Sequence, residues 1–225
     1  VSVASVDRLL VVMAKAPRAG HAKTRLAAAG FTDDQVLALY RSLMEDTLDL
    51  AASLEQVHVA LMCPSGDAAA IADWLGRELD IIEQPGAGLA DALEATFGLF
   101  ASRQASRVIA LNGDSPHLPA AVLVRAFDAL GAHDLVVGPT ADGGYYLVGA
   151  RGPHPGLFER SALGTGRALD DLLARAREHG LRVASTDAWY DVDVGHDVER
   201  LEAELANGSV VAPRTHSLLV TWRGR

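Results

Sequence analysis

"LLVVMAKAPRAGHAKTRL", Leu9 to Leu26, begins with six residues that are apolar throughout, Leu9 to Ala14, and then turns polar and basic. A half-buried strand alternates apolar and polar side chains, whereas an unbroken run of this length reads as a strand covered on both faces, as in a parallel sheet wrapped by helices. Similar runs return along the chain. Strands are expected at Leu9 to Ala14, Val57 to Met62, Asp80 to Glu83, Arg107 to Leu111, Asp134 to Val137, Gly144 to Val148 and Leu181 to Ala184. Between them lie alanine- and leucine-rich stretches of helical period: Thr32 to Ala52 with Thr32 as N-cap, Asp67 to Glu78, Leu89 to Arg103, Pro119 to Leu130, Arg167 to His179 and Asp197 to Ala206. This alternation predicts an α/β fold, a three-layer α/β/α sandwich around a mostly parallel sheet.

The 225 residues suit one domain, 1–225, and no repeat or low-complexity linker divides them. Hydrophobic residues make up 49% and charged residues 22%, a globular balance, and the formal net charge of −9 argues against nonspecific nucleic-acid or anionic-membrane binding. The single cysteine, Cys63, excludes an intrachain disulfide and a cysteine-rich zinc site. No apolar stretch reaches the roughly 18 residues of a membrane span, and the segment "VSVASVDR" lacks the basic flank of a signal peptide, so a cytoplasmic location is expected.

The polar half of the opening stretch gathers Lys15, Arg18, Lys23 and Arg25 in one loop of an acidic chain. It is not a P-loop: Ala22 precedes the Lys23-Thr24 pair where glycine is required, and no glycine stands five positions before Gly20. Either a solvated basic loop or a phosphate-contacting one fits these residues. Ligands of such folds bind beyond the carboxyl ends of the strands, and three more polar loops fall there: "GDSPHLP", "TADGGYY" and "WYDVDVGHD". Asp114 is a candidate helix cap or an oxygen ligand for Mg²⁺ or Mn²⁺, ions that share such ligands with substrate phosphates. Asp191 and Asp193 are in extended spacing and are expected on opposite faces, so that one of them faces the site; Asp197 reads as an N-terminal residue of the last helix. "DGG" is a hairpin turn signal whose glycines would also admit a ligand beside Asp142. In "IIEQPGAGLADAL", Gln84 could read a base edge while Gly86 and Gly88 let a nucleoside approach the backbone.

"MAKAPRAGHAKTRL", "LNGDSPHLP", "GPTADGGYYLVG" and "YDVDVGHDV", in this order and at this spacing, resemble the bacterial DUF2064 family of GT-A-fold glycosyltransferases, within the nucleotide-diphospho-sugar transferase superfamily, over about Leu9 to Leu205. The related 2-phospho-lactate guanylyltransferases share a similar "K…AKTRL" opening and a "DGG" loop. The resemblance implies a GT-A, Rossmann-like sandwich. It implies a metal, Mg²⁺ or Mn²⁺, on Asp114 with Asp193 as second ligand, and phosphate contacts from Lys23 and Arg25. Gln84 and Gly88 would line a nucleoside pocket, Asp142, Gly143 and Gly144 would face the acceptor or transferred group, and Lys15 and Tyr145 complete the substrate-contacting set. Two stretches depart from the pattern: "ALGTG", Ala162 to Gly166, on the acceptor side, and "DVDVGHDV" in place of "DVDTPEDL". The tail after Asn207 matches no motif and is read as a late strand or an oligomer contact.

The expected activity is metal-dependent transfer of a sugar from a nucleotide-diphosphate sugar to a small-molecule acceptor, with Lys23, Asp114 and Asp142 in the catalytic roles and Asp142 as base. Nucleotidyl transfer, joining a nucleoside triphosphate to a phosphorylated small molecule with release of pyrophosphate, uses the same lysine and metal. A non-catalytic nucleotide binder is the third reading, and it gives no reason for a metal pair. A homo-oligomer is compatible with all three.

Overall fold

The structure, a computed structural model, describes residues 7–158 and 163–224. The expected alternation is present: β1 (Arg8–Met13), α1 (Thr24–Ala28), α2 (Asp33–Ala52), β2 (His58–Cys63), α3 (Ala68–Leu75), β3 (Asp80–Glu83), α4 (Leu89–Arg103), β4 (Arg107–Leu111), α5 (Ala120–Ala129), β5 (Leu135–Pro139), β6 (Tyr145–Ala150), α6 (Ala168–Glu178), β7 (Val183–Ser185), α7 (Gly195–Ala206) and α8 (Pro213–Arg223). The strands form one sheet in the order β3-β2-β1-β4-β6-β5-β7. Only β6 runs against its neighbours, pairing antiparallel with both β4 and β5. Among the described residues no helix is long and apolar enough to cross a membrane.

The apolar run of β1 is explained by its position. Leu9 and Val11 pack on one face with Phe97 and Phe100 of α4, and Leu10 and Val12 on the other with Met44 and Leu48 of α2 and Phe127 of α5. All four are fully buried, because a helix layer covers each face. A third cluster joins Leu26 of α1 and Leu39 and Leu43 of α2 to Val198 and Leu201 of α7 and Leu219 of α8, so α2 is apolar on two sides.

Local signals set several boundaries as expected. Thr32 caps α2 in a reciprocal box with Gln35, its hydroxyl accepting the Gln35 N–H while the Gln35 side chain accepts the Thr32 N–H. "DGG" turns between antiparallel β5 and β6. Asp197 takes the structural role: its Oδ2 accepts the N–H groups of Asp193 and Val194, 2.9 and 2.8 Å away, at the start of α7.

Three features differ from or add to the expected elements. The tail forms the helix α8 and not a late strand; its first N–H groups, on Arg214 and Thr215, are accepted by buried Asp46 of α2 at 3.1 and 2.8 Å. That cap is supplied across the fold, which leaves Pro213 at the first helical position as the local start signal in the tail. The short α1 lies inside the basic loop, where the amphipathic pattern is too brief to register. The strand after α6 is β7, Val183–Ser185, two residues later than Leu181, because Leu181 N–H still bonds the Ala176 carbonyl and closes the helix end. The departure at "ALGTG" begins with Ala162, which lies outside the described residues.

Candidate active site

Parallel strands deliver their exit loops to one edge of the sheet, and the four polar loops meet there. Lys23 is the convergence point. It precedes α1 with φ 53° and ψ 37°, left-handed backbone that a side chain other than glycine seldom adopts and that costs of order 1–3 kcal/mol. From it the side chain runs inward, 3% exposed, and its Nζ lies 2.9 Å from Asp114 Oδ1 after β4 and 2.6 Å from Asp193 Oδ1 before α7. Burial pulls the lysine pKa down, but the Asp114 and Asp193 carboxylates outweigh it and hold the ammonium above its ordinary value, fully charged. Arg25 stands outside this pair, 70% exposed, with Nη1 3.9 Å from Asp193 Oδ2.

A third carboxylate, Asp191, adjoins them. The chain at 191–194 is not a strand, so alternation does not apply and the expectation that Asp191 and Asp193 diverge fails. Val192 N–H bonds the Asp114 carbonyl at 3.0 Å, which draws both flanking aspartates to the Asp114 loop. Asp191 Oδ1 accepts from Asn112 Nδ2 at 2.6 Å and from Ser115 Oγ at 3.1 Å. Burial, reinforced by the like charge of Asp114, pushes its pKa up to about 6. Asp191 is one of the two aspartates from which a single site-facing residue is expected, and both reach the site; Asn112 is not among the expected residues, and the signal that could have found it is the spacing of "LNGD" and "DVD" on facing loops.

The donor set is hard oxygen, and three carboxylates around one ammonium leave an excess of negative charge. Among the described residues no group of three or more His, Cys, Asp and Glu side chains forms a metal cage by itself. Asp114 and Asp193 suit the other arrangement, in which one or two carboxylates and substrate phosphates share a Mg²⁺ ion.

The hairpin loop between β5 and β6 forms another wall. Asp142 Oδ1 accepts from Thr140 Oγ1 at 2.5 Å and from Gly144 N–H at 3.1 Å. The Thr140 hydroxyl bond, with help from the Gly144 N–H and the Arg25 charge, holds this carboxyl below the usual range despite partial burial. Asp142 is therefore an ionised, weakly basic group. Gly143 has φ +83°, and a Cβ there would overlap the Gly166 carbonyl oxygen, so the turn is pressed against the segment leading into α6. Tyr145 follows, its hydroxyl buried without a hydrogen-bond partner among the described residues.

The nucleoside-side expectations are placed on the same edge, with a change for Gln84. Its amide donates to the carbonyls of Gly86 and Gly88, 2.8 and 3.2 Å away, so its N–H groups brace their own loop. Gly88, φ +111°, is the N-cap residue before α4. Lys15 is exposed at the exit of β1, and its backbone is held by Tyr40: the Lys15 N–H donates to Tyr40 Oη at 2.9 Å and Tyr40 Oη donates to the Lys15 carbonyl at 2.8 Å.

The fold is shared with solved structures. A protein from Desulfovibrio desulfuricans G20 assigned as a nucleotide-diphospho-sugar transferase superposes with a TM-score of 0.86 at 26% identity, over 95% of this chain and 94% of that one. The 4-diphosphocytidyl-2C-methyl-D-erythritol synthase of Anaerococcus prevotii DSM 20548 gives 0.58 at 14% identity over 89% and 96%, and a Methanothermobacter nucleotidyl transferase 0.57 at 15% over 89% and 99%. These show a common nucleotide-diphospho-sugar transferase fold. Comparison with curated proteins finds no match. The family profile described as "Uncharacterized protein conserved in bacteria (DUF2064)" matches residues 47–165, more than half of the sequence, and the chain belongs to that family.

Proposed function

We propose that this chain is a glycosyltransferase that moves a sugar from a nucleotide-diphosphate sugar to a small-molecule acceptor with the help of Mg²⁺ or Mn²⁺. The observation that carries the reading is the buried Lys23 ammonium between Asp114 and Asp193, flanked by Arg25, at the carboxyl edge of a nucleotide-diphospho-sugar transferase fold. The whole-chain likeness to the Desulfovibrio protein supports it.

In the reaction the bond from the sugar's anomeric carbon to the diphosphate oxygen breaks, a bond from that carbon to an acceptor oxygen forms, and the acceptor loses a proton. Charge accumulates on the departing diphosphate, and preorganised cations aimed there lower the barrier. Lys23 and Arg25 supply fixed positive charge, while Lys15 extends it at the loop entrance. Asp114 and Asp193 would hold the metal, which when bound neutralises diphosphate oxygens as a Lewis acid. Asp142 would take the acceptor proton; as a weak base it would do so late, once the new carbon–oxygen bond has acidified the hydroxyl. Gly143, Gly144 and Tyr145 shape that side, and Gln84 and Gly88 shape the loop expected to meet the nucleoside.

The test is a panel of nucleotide sugars and nucleoside triphosphates with Mg²⁺ or Mn²⁺, read by thermal shift and product analysis. Stabilisation by nucleotide sugars with slow release of nucleoside diphosphate is expected. Pyrophosphate release from a triphosphate would replace this reading with nucleotidyl transfer, and binding without any turnover across the panel would favour a silent binder. Asp114→Asn is expected to abolish the metal-dependent part of nucleotide affinity.

A further inference from the structure

Asp67 stands at the N-cap of α3, where an aspartate ordinarily turns its carboxylate onto the first turn of its own helix. Here it makes no such bond. Glu83 Oε1, from β3, serves that turn instead, accepting the N–H groups of Gly66 and Ala68 at 2.9 and 3.3 Å. The Asp67 carboxylate, nearly buried, is committed to the basic loop after β1: Oδ2 accepts the Ala16 N–H at 2.8 Å and Oδ1 pairs with Arg18 Nη1 at 2.9 Å. Beside it Tyr40 grips Lys15 through both backbone groups. The basic loop leaves β1 and the Asp67 segment leaves β2, both parallel to β4, so this clamp lies on the same sheet edge as Asp114.

Arg18 itself has no part in the mechanism so far. Its side chain is half exposed, and a guanidinium carries five N–H donors, of which Asp67 engages one edge. We propose that Asp67 is a positioning residue that holds Arg18 as a further contact for the substrate's phosphates, a deepening that rests on the phosphate-binding part of the reading above. A free arginine must be ordered when an anion arrives; one already paired and anchored at its loop backbone has lost that freedom in advance, so more of its interaction shows as affinity. A purely structural tether would require only the Ala16 bond. The pairing to the arginine is what a positioning role adds.

The experiment is calorimetric titration of the full chain with inorganic pyrophosphate and Mg²⁺, for the parent, Asp67→Ala, Arg18→Ala and the double variant, with the melting temperature of each. Each single substitution is expected to weaken pyrophosphate binding about tenfold, and the double to stay within about twofold of Arg18→Ala, because Asp67 acts through Arg18. Parent-like affinity in Asp67→Ala together with a lower melting temperature would reduce Asp67 to a structural tether. Losses that multiply in the double variant would also overturn the proposal, as would parent-like affinity in Arg18→Ala. If the parent binds neither pyrophosphate nor any nucleotide, the phosphate reading falls and this inference with it, an outcome distinct from the others. Should Asp67→Ala fail to fold, Asp67→Asn, which still accepts the Ala16 N–H but lacks the charge, takes its place in the same cycle.

Discussion

Lys23 Nζ lies 2.6 Å from Asp193 Oδ1 although 170 residues separate the two in sequence. The same ammonium also holds Asp114, so one buried cation ties the loop after β1 to the loops after β4 and before α7. Lys23→Met is therefore expected to leave two carboxylates facing each other, with a loss of about 1–3 kcal/mol, moderated because both aspartates are partly exposed. A divalent cation should then stabilise the variant more than it stabilises the parent, since it replaces the missing charge. Thermal unfolding with and without Mg²⁺ checks this; equal shifts in both proteins would contradict it.

Asp191 gives a pH signature. Its folded pKa is about 6 against an ordinary 3.8. Between these values the folded chain binds more protons than the unfolded one, so this residue's contribution to stability falls as pH rises from about 4 to about 6 and stays low above. Asp191→Asn, which can still accept from Asn112 and Ser115, is expected to stabilise the protein by roughly 1–3 kcal/mol at pH 7.5 and by almost nothing at pH 4. Urea unfolding of both proteins at the two pH values, with a chelator present, reads the difference.

Gly143→Ala meets two penalties, a left-handed backbone and a clash with the Gly166 carbonyl oxygen. Gly164, also left-handed at φ +76°, has open space around the same position. Gly164→Ala should cost about 1 kcal/mol for conformation alone, and Gly143→Ala about 2 kcal/mol or more, with loss of turnover as Asp142 moves. Parallel denaturation of the two variants separates strain from contact.

Asp46 tests the tail. Its carboxylate accepts three hydrogen bonds from Arg214 and Thr215, counting Thr215 Oγ1 at 2.8 Å. Asp46→Ala leaves the start of α8 uncapped and is expected to cost about 1–3 kcal/mol, with amide exchange accelerating first in α8. Uniform exchange across the protein would show that the tail does not rest on this contact.

The fold was legible because its signals are local. The unbroken apolar run at Leu9, the Thr32-Gln35 capping box and the "DGG" turn each act within a few residues, and each appears where periodicity and turn chemistry put it. The candidate site was legible at the level of loops, since strand ends of a parallel sheet share an edge. Within the loops it was only partly so. Gln84 has a base-reading chemistry on paper, but its amide bonds two carbonyls of its own turn. Asp67 opens the expected helix Asp67 to Glu78, yet its carboxylate serves Arg18 and Ala16 while Glu83 accepts the N–H groups at that helix start.

Residue order alone thus determined which segments are strands, which faces are covered, and that four polar loops leave one sheet edge, because backbone propensity and burial pattern are properties of neighbours in the chain. Only the tertiary structure decided that "KAPRAGHAKTRL" sends Lys23 inward to two aspartates while Asp67 and Tyr40 hold its first half from outside. Those choices depend on charges and hydrogen-bond donors brought together from distant positions, and their partners are set by burial and geometry that no local pattern encodes.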